Sequence, residues 1–222
     1  MNRVVALMSL AGLLAFQGVS HATPSLTKEV GLRISSATPQ SIIDIDSNFI
    51  RMYFIRDNFQ VFSATSADGL TWIEDSSFRI STETAPSLDA SSVTSCAVLP
   101  LADGSYRMLY TAKSSSASYH ILSAASTDGL NWIKDPGVRY ETGTSSVTLD
   151  SLRVTALSSG RWRLYYLERS SSTGVLDIFD LKTATAPNNA LAWTAHRVIA
   201  SSLTAGGIDV STMTDGSIRL FY

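Results

Sequence analysis

Short runs in which apolar residues alternate with Ser, Thr and other polar residues follow one another along the chain, broken by turn signals. This period-two pattern predicts β-strands. The runs also repeat. Arg51-Met52-Tyr53-Phe54, Arg107-Met108-Leu109-Tyr110, Arg163-Leu164-Tyr165-Tyr166 and Arg219-Leu220-Phe221-Tyr222 have arginines spaced 56 residues apart. Before each arginine lies an apolar strand and a turn: Ile42-Ile43 before Ser47-Asn48, Val98-Leu99 before Asp103-Gly104, Val154-Thr155 before Ser159-Gly160, and Val210-Ser211 before Asp215-Gly216. The Gly or Asn is expected to supply the positive φ of a tight hairpin, so each unit opens strand, turn, strand.

Downstream come Ser66-Ala67-Asp68-Gly69-Leu70-Thr71-Trp72 and Ser126-Thr127-Asp128-Gly129-Leu130-Asn131-Trp132, with a degenerate copy at Asn189-Ala190-Leu191-Ala192-Trp193. Asp-Gly predicts a second turn, and the tryptophan opens a fourth strand. A single four-stranded sheet leaves a face uncovered, so such units must stack, and radial stacking of four-stranded sheets makes a β-propeller. A sandwich also uses short strands, but it does not predict the same residues at a fixed interval. The expected fold is all-β, with blades at about residues 30–80, 88–140, 146–200 and 206–222. Tyr222 aligns with a residue inside the second strand of the earlier units. The chain is therefore expected to hold three blades and the first hairpin of a fourth, from a parent with five blades or six.

The N-terminus adds a different expectation. Arg3, an apolar run from Val4 to Phe16 and the small-residue motif Ser20-His21-Ala22 have the pattern of a cleaved signal peptide over residues 1–22, with the mature domain at 23–222 and a secreted or periplasmic destination. The run is shorter than the roughly 20 residues of a spanning helix, so no membrane anchor is expected. The formal net charge is −2 with scattered Lys and Arg, which argues against a nucleic-acid partner. The one cysteine, Cys96, reads as a buried small hydrophobe. His120 and His196 lack partners at ligand spacing, and no phosphate loop is visible, so neither a metal nor a cofactor is expected.

The two Ser-x-Asp-Gly-x-x-Trp segments resemble the Asp-box turns of sialidases, in a form lacking one residue between Asp and Gly. The run from Asp103 to Tyr110 resembles blade hairpins of the five-bladed arabinanase, xylosidase and fructosidase families. The resemblance covers nearly all of the mature chain. It implies an exported glycoside-hydrolase-like propeller acting on a glycan or polysaccharide, or a propeller that binds carbohydrate or protein without catalysis. The sequence departs from both patterns at their sites: the first innermost strand reads Thr38-Pro39-Gln40-Ser41 without Asp-Pro, and the Arg-Ile of Phe78-Arg79-Ile80-Ser81 follows a box and is not followed by proline.

A residue present in every blade occupies every symmetry-related place, whereas a catalytic centre is a single asymmetric set. Asp68 and Asp128 therefore read as turn formers, and the four repeated arginines as structural partners, although a carboxylate-binding arginine triad uses the same residue type. Functional candidates are the residues that break the repeat near the innermost strands. Asp150 replaces Thr38 and Thr94, and Asp209 stands where Ser41, Ala97 and Arg153 stand in the other units. Asp89 precedes the second innermost strand, and Glu141 precedes the third. Glycoside hydrolysis uses a pair of carboxyl groups, so Asp89, Asp150 and Asp209 are the catalytic candidates, with Glu141, Arg153 and His120 as sugar contacts.

Overall fold

The computed structural model describes residues 33–57, 59–170, 178–186, 191–203 and 207–222. The leader expected over residues 1–22 lies outside them, as do Asn189 and Ala190 of the degenerate third box. Among the described residues every regular element is a strand, and all pairings are antiparallel.

The first sheet contains β1 (Thr38–Asp44), β2 (Ile50–Arg56) and β3 (Gln60–Ser66), followed by β4 (Ile73–Glu74) and β5 (Ile80–Ser81), which both pair with β3. The second repeats this plan with β6 (Ser92–Pro100), β7 (Tyr106–Lys113), β8 (Tyr119–Ser126), β9 (Ile133–Lys134) and β10 (Tyr140–Glu141). The third is β11 (Val147–Ala156), β12 (Trp162–Ser170), β13 (Ile178–Ala186) and β14 (Thr194–Leu203), and the last is the hairpin β15 (Asp209–Thr212) and β16 (Ile218–Phe221).

The expected fourth strand is thus continuous only in the third sheet. In the first two it breaks where Ser77 and Gly137 take positive φ. The break falls just after Asp75 and Asp135, whose carboxylates turn inward to the repeated arginines. Arg51 Nε lies 3.3 Å from Asp75 Oδ2, and Arg107 pairs with Asp135. Ser63 and Ser123 each donate a 2.6 Å hydrogen bond to the same carboxylates. The arginine, serine and aspartate repeat as one buried polar unit. In the third unit His196 occupies the aspartate's place in the sequence, and its side chain lies outside the described residues.

The first hairpin also differs from expectation. Gly104, Gly160 and Gly216 have positive φ, but Asn48 does not; Asp46 Oδ1 closes that turn by accepting from Asn48 N and Phe49 N.

The core lies between the sheets. One cluster joins the first two through Tyr53, Val61, Cys96 and Tyr110; a second joins the next pair through Leu109, Ile121, Leu152 and Tyr166; a third seats Tyr165 and Leu167 against Ile208. Cys96 is fully buried, and burial pushes its thiol up to about 12. The box turns add polar joints. Gly129 O accepts from Tyr53 OH at 2.9 Å, Asp128 O from Arg51 Nη1 at 3.0 Å, and Leu130 O from Arg79 Nη1 at 2.7 Å. Arg139 repeats the last contact onto Leu191 O, also at 2.7 Å. Arg79, in the segment compared above with the sialidase motif, is therefore a staple between sheets.

Candidate functional site

The first strands of the four sheets, β1, β6, β11 and β15, pack beside one another and surround a cavity of about 370 Å³. Its walls are the same two repeat positions taken four times: Ser41, Ala97, Arg153 and Asp209 at one, and Ile42, Val98, Val154 and Val210 at the other, with Pro39 and Gln40 at the edge. The 56-residue spacing that relates Ser41 to Asp209 thus becomes a ring around one space. The second position is uniformly aliphatic and forms a collar. The first has diverged to hydroxyl, methyl, guanidinium and carboxylate, as a single asymmetric site requires.

Arg153 and Asp209 meet across adjacent sheets, with Nε donating to Oδ1 at 3.1 Å. Of the sequence candidates on β11, Arg153 reaches this place, and a β-bulge separates it from Asp150. The register of β11 on β12 shifts between Asp150 and Arg153, so Asp150 lies opposite Leu167 and Arg153 opposite Tyr165. Directly opposed residues share a sheet face. Leu167 and Tyr165 both pack toward Ile208, just before the last sheet, so Asp150 and Arg153 share that face of the third sheet; Arg153 meets Asp209, whereas Asp150 does not line the cavity. Without the extra residue they would point to opposite faces. Ser151 in the bulge takes a φ of 52°, a strained value for a residue with a side chain. Two bonds hold the bulge: Asp150 Oδ1 accepts from Ser151 N at 2.6 Å, and the fully buried Ser95 Oγ on β6 accepts from Leu152 N at 2.9 Å. Ser95 Oγ in turn donates to Gln40 Oε1 at 3.0 Å, which ties three innermost strands into one hydrogen-bonded chain. Sequence reasoning did not single out Ser95 or Gln40. A serine in a serine-rich strand carries no distinguishing signal.

The remaining candidates lie elsewhere. Asp89 is 1% exposed between the first two sheets, where Lys134 Nζ sits 2.6 Å from its Oδ2 and Ser87 Oγ donates to Oδ1 at 2.6 Å. Lys134 also bonds Glu83 at 2.6 Å, so Asp89 belongs to an ionic joint and does not line the axial cavity. Glu141 is exposed and pairs in register with His120. His120 is buried, neither ring nitrogen has a hydrogen-bond partner, and burial depresses its pKa while Glu141 opposes the shift. Among the described residues no group of three or more His, Cys, Asp or Glu side chains is arranged to hold a metal ion, and no helix is long and apolar enough to cross a membrane.

No family model matches the sequence, and no curated protein matches it by sequence. Solved structures do match. A thermostable family-43 glycoside hydrolase superposes with a TM-score of 0.64 at 11% identity, over 76% of this chain and 54% of that one. The fold is a β-propeller. A family 117 glycoside hydrolase of the marine bacterium Zobellia galactanivorans gives 0.62 at 15% identity, over 83% of this chain and 65% of that one. Fructan 1-exohydrolase IIa from Cichorium intybus gives 0.57 at 15% identity, over 79% and 36%. The chain spans less than two thirds of the length of each of these structures. The four sheets are accordingly blades, and the cavity between their first strands lies on the propeller axis. Likeness at such identities establishes architecture; chemistry has to be argued from the site.

Proposed function

We propose that the protein is an exported propeller of glycoside-hydrolase type that seats a glycan at the axial cavity, with Asp209 and Asp150 as its working carboxyl groups and Arg153 as the residue that orients them. The observation that carries this reading is the convergence of the repeat-breaking residues Arg153 and Asp209 on one axial cavity, with Asp150 turned to the same blade interface by the bulge. Hydrolysis of a glycosidic bond uses one carboxyl group to protonate the leaving oxygen and another to activate water or attack the sugar. The two aspartates lie on different blades, so they can stand on either side of a bound sugar. The glycoside-hydrolase neighbours support the same substrate class.

The test is a panel of chromogenic glycosides and plant and algal polysaccharides with wild type, Asp209→Asn and Asp150→Asn. Either substitution is expected to lower kcat by at least about a hundredfold, the usual weight of one acid or base group, with folding unchanged. Unchanged turnover in both variants would remove the aspartates from the mechanism. The ion pair that already occupies Asp209 favours a second reading, binding without turnover, and glycan binding with no hydrolysis on the same panel would select it. Export adds its own expectation: N-terminal sequencing of protein recovered outside the cytoplasm should begin at Thr23, and a sequence beginning at Met1 would contradict it.

A further inference from the structure

The charge pattern of the axial cavity narrows the ligand class. Resting on the reading above, we infer that the Arg153–Asp209 pair is a charge-compensated clamp for adjacent hydroxyls of an uncharged sugar, and that it excludes sugars carrying a carboxylate. Arg153 and Asp209 are the only charged side chains lining the cavity among the described residues, and they cancel; Asp150, on the same strand as Arg153 but outside the lining, adds only negative charge nearby. Their unused atoms are complementary. Arg153 spends Nε on Asp209 and Nη1 on Leu152 O at 2.7 Å, so its Nη2 keeps two donors; Asp209 keeps Oδ2 as an acceptor on a side chain that is 70% exposed. A donor pair beside an acceptor matches two neighbouring hydroxyl groups, each of which can both give and take a hydrogen bond. The aliphatic collar of Ile42, Val98 and Val154 lines the same cavity and offers an apolar surface for the carbon face of a ring.

A carboxylated sugar meets the opposite situation. Its anion would gain Arg153 only by approaching Asp209, and like charges at contact distance repel. Among the described residues no further cation lines the cavity to compensate. Arg51 and Arg107 are buried in ion pairs with Asp75 and Asp135, and Arg79 and Arg139 are committed to backbone carbonyls of neighbouring blades. Of the repeated arginines, the feature that invited an acidic-sugar reading of the sequence, Arg51 and Arg107 are used up by the scaffold, and none of the four lines the cavity. Arg153 is also fixed in place, because Ser95 holds the bulge that delivers it.

The experiment is a glycan array on which neutral pentose and hexose oligosaccharides are printed, each hexose oligosaccharide beside its C6-oxidised uronate counterpart. It is probed with wild type, Asp209→Asn and Arg153→Gln. Binding reads the clamp without depending on turnover. Wild type is expected to bind neutral members and to bind the oxidised counterparts at least about tenfold more weakly, the size of one like-charge contact in a partly solvated site. Asp209→Asn removes the repulsion and is expected to narrow or reverse that gap, whereas Arg153→Gln weakens neutral binding and leaves the uronates excluded. Wild type that binds uronates as well as or better than their neutral parents, or an unchanged ratio in Asp209→Asn, would overturn the inference while leaving a glycan-binding propeller intact. Wild type that binds no sugar of either kind, and hydrolyses none, would overturn the functional reading and this inference with it.

Discussion

At Gly129 a side chain has nowhere to go. A Cβ there would lie 2.8 Å from both Arg51 Nη1 and Tyr53 OH, the groups that bond the box turn to the preceding blade, and φ is +71°. Gly69 has the same conformation in the first blade, but its nearest neighbour would be Ile50 at 3.9 Å. Gly69→Ala therefore meets only backbone strain, about 1 kcal/mol, whereas Gly129→Ala must also displace Arg51 and Tyr53 and should cost about 2 to 3 kcal/mol more. Chemical denaturation of the two variants checks this, and equal losses would mean that the box is not a joint between blades. Trp132 contributes to the same joint, edge-on to Tyr53 with ring centroids 6.0 Å apart. Asp68 and Asp128 act as the sequence suggested, each accepting from two backbone amides beyond the turn at 2.7 to 2.8 Å. Those bonds hold Asp68 down at about 2. His120 gives a pH prediction of definite sign. Burial lowers its pKa in the folded chain, so the unfolded chain takes up the proton first as pH falls through about 6.5. Stability is present above that value and lost below it, until the folded-state pKa is passed. Melting temperature should fall as pH drops below about 6.5, and His120→Leu should flatten that slope. An unchanged slope would place the acid sensitivity elsewhere.

At the scale of elements, what could be read in advance was whatever repeats. The 56-residue arginine spacing located the second strand of every blade, and the Asp-Gly-x-x-Trp segments located the turns before the short fourth strands. The same arithmetic put Asp209 and Arg153 at one position, which the structure turns into contact across a blade interface. Features built by local departures from the ladder were not legible. The split of the fourth strand depends on where Asp75 and Asp135 turn inward, and the bulge on β11 depends on a hydrogen bond from another blade. Asp89 illustrates the limit: its position before an innermost strand suggested the axis, but Lys134 on β9 of the same blade draws it into an ionic joint. A one-residue bulge decides which face a side chain takes, and no pattern along a single strand announces it. Ser95→Ala should therefore have a twofold effect. It leaves Leu152 N without a buried acceptor, at about 1 to 3 kcal/mol of stability, and it frees the bulge that aims Arg153. Glycan affinity should fall with it, and Ser95→Thr, which keeps the hydroxyl, should recover part of both. Loss of stability with sugar binding untouched would show that the bulge does not set the site.

For the whole molecule, stability is carried between blades, so each blade is as stable as its covered faces allow. The second blade is enclosed on both sides: Tyr110 and Leu122 pack against the first blade, and Leu109 and Ile121 against the third. The hairpin β15–β16 meets the third blade on one side through Ile208 and Val210, while Phe221 is 53% exposed. Polar joints follow the same distribution, with Arg51, Tyr53 and Arg79 all reaching the box of the second blade. Opening β7 or β8 requires two apolar interfaces to separate together, and opening the hairpin requires only one. Native-state hydrogen exchange should therefore be slowest in β6, β7 and β8 and fastest in β15 and β16, with the first and third blades between. A substitution at the first interface such as Tyr53→Ala should accelerate exchange in both blades it joins and leave β15–β16 unchanged, because nearest-neighbour coupling decays across an intervening blade. Protection of the hairpin equal to that of β7 would show that its open face is covered in solution, and a uniform response to Tyr53→Ala would show that the blades unfold as one unit rather than by neighbours.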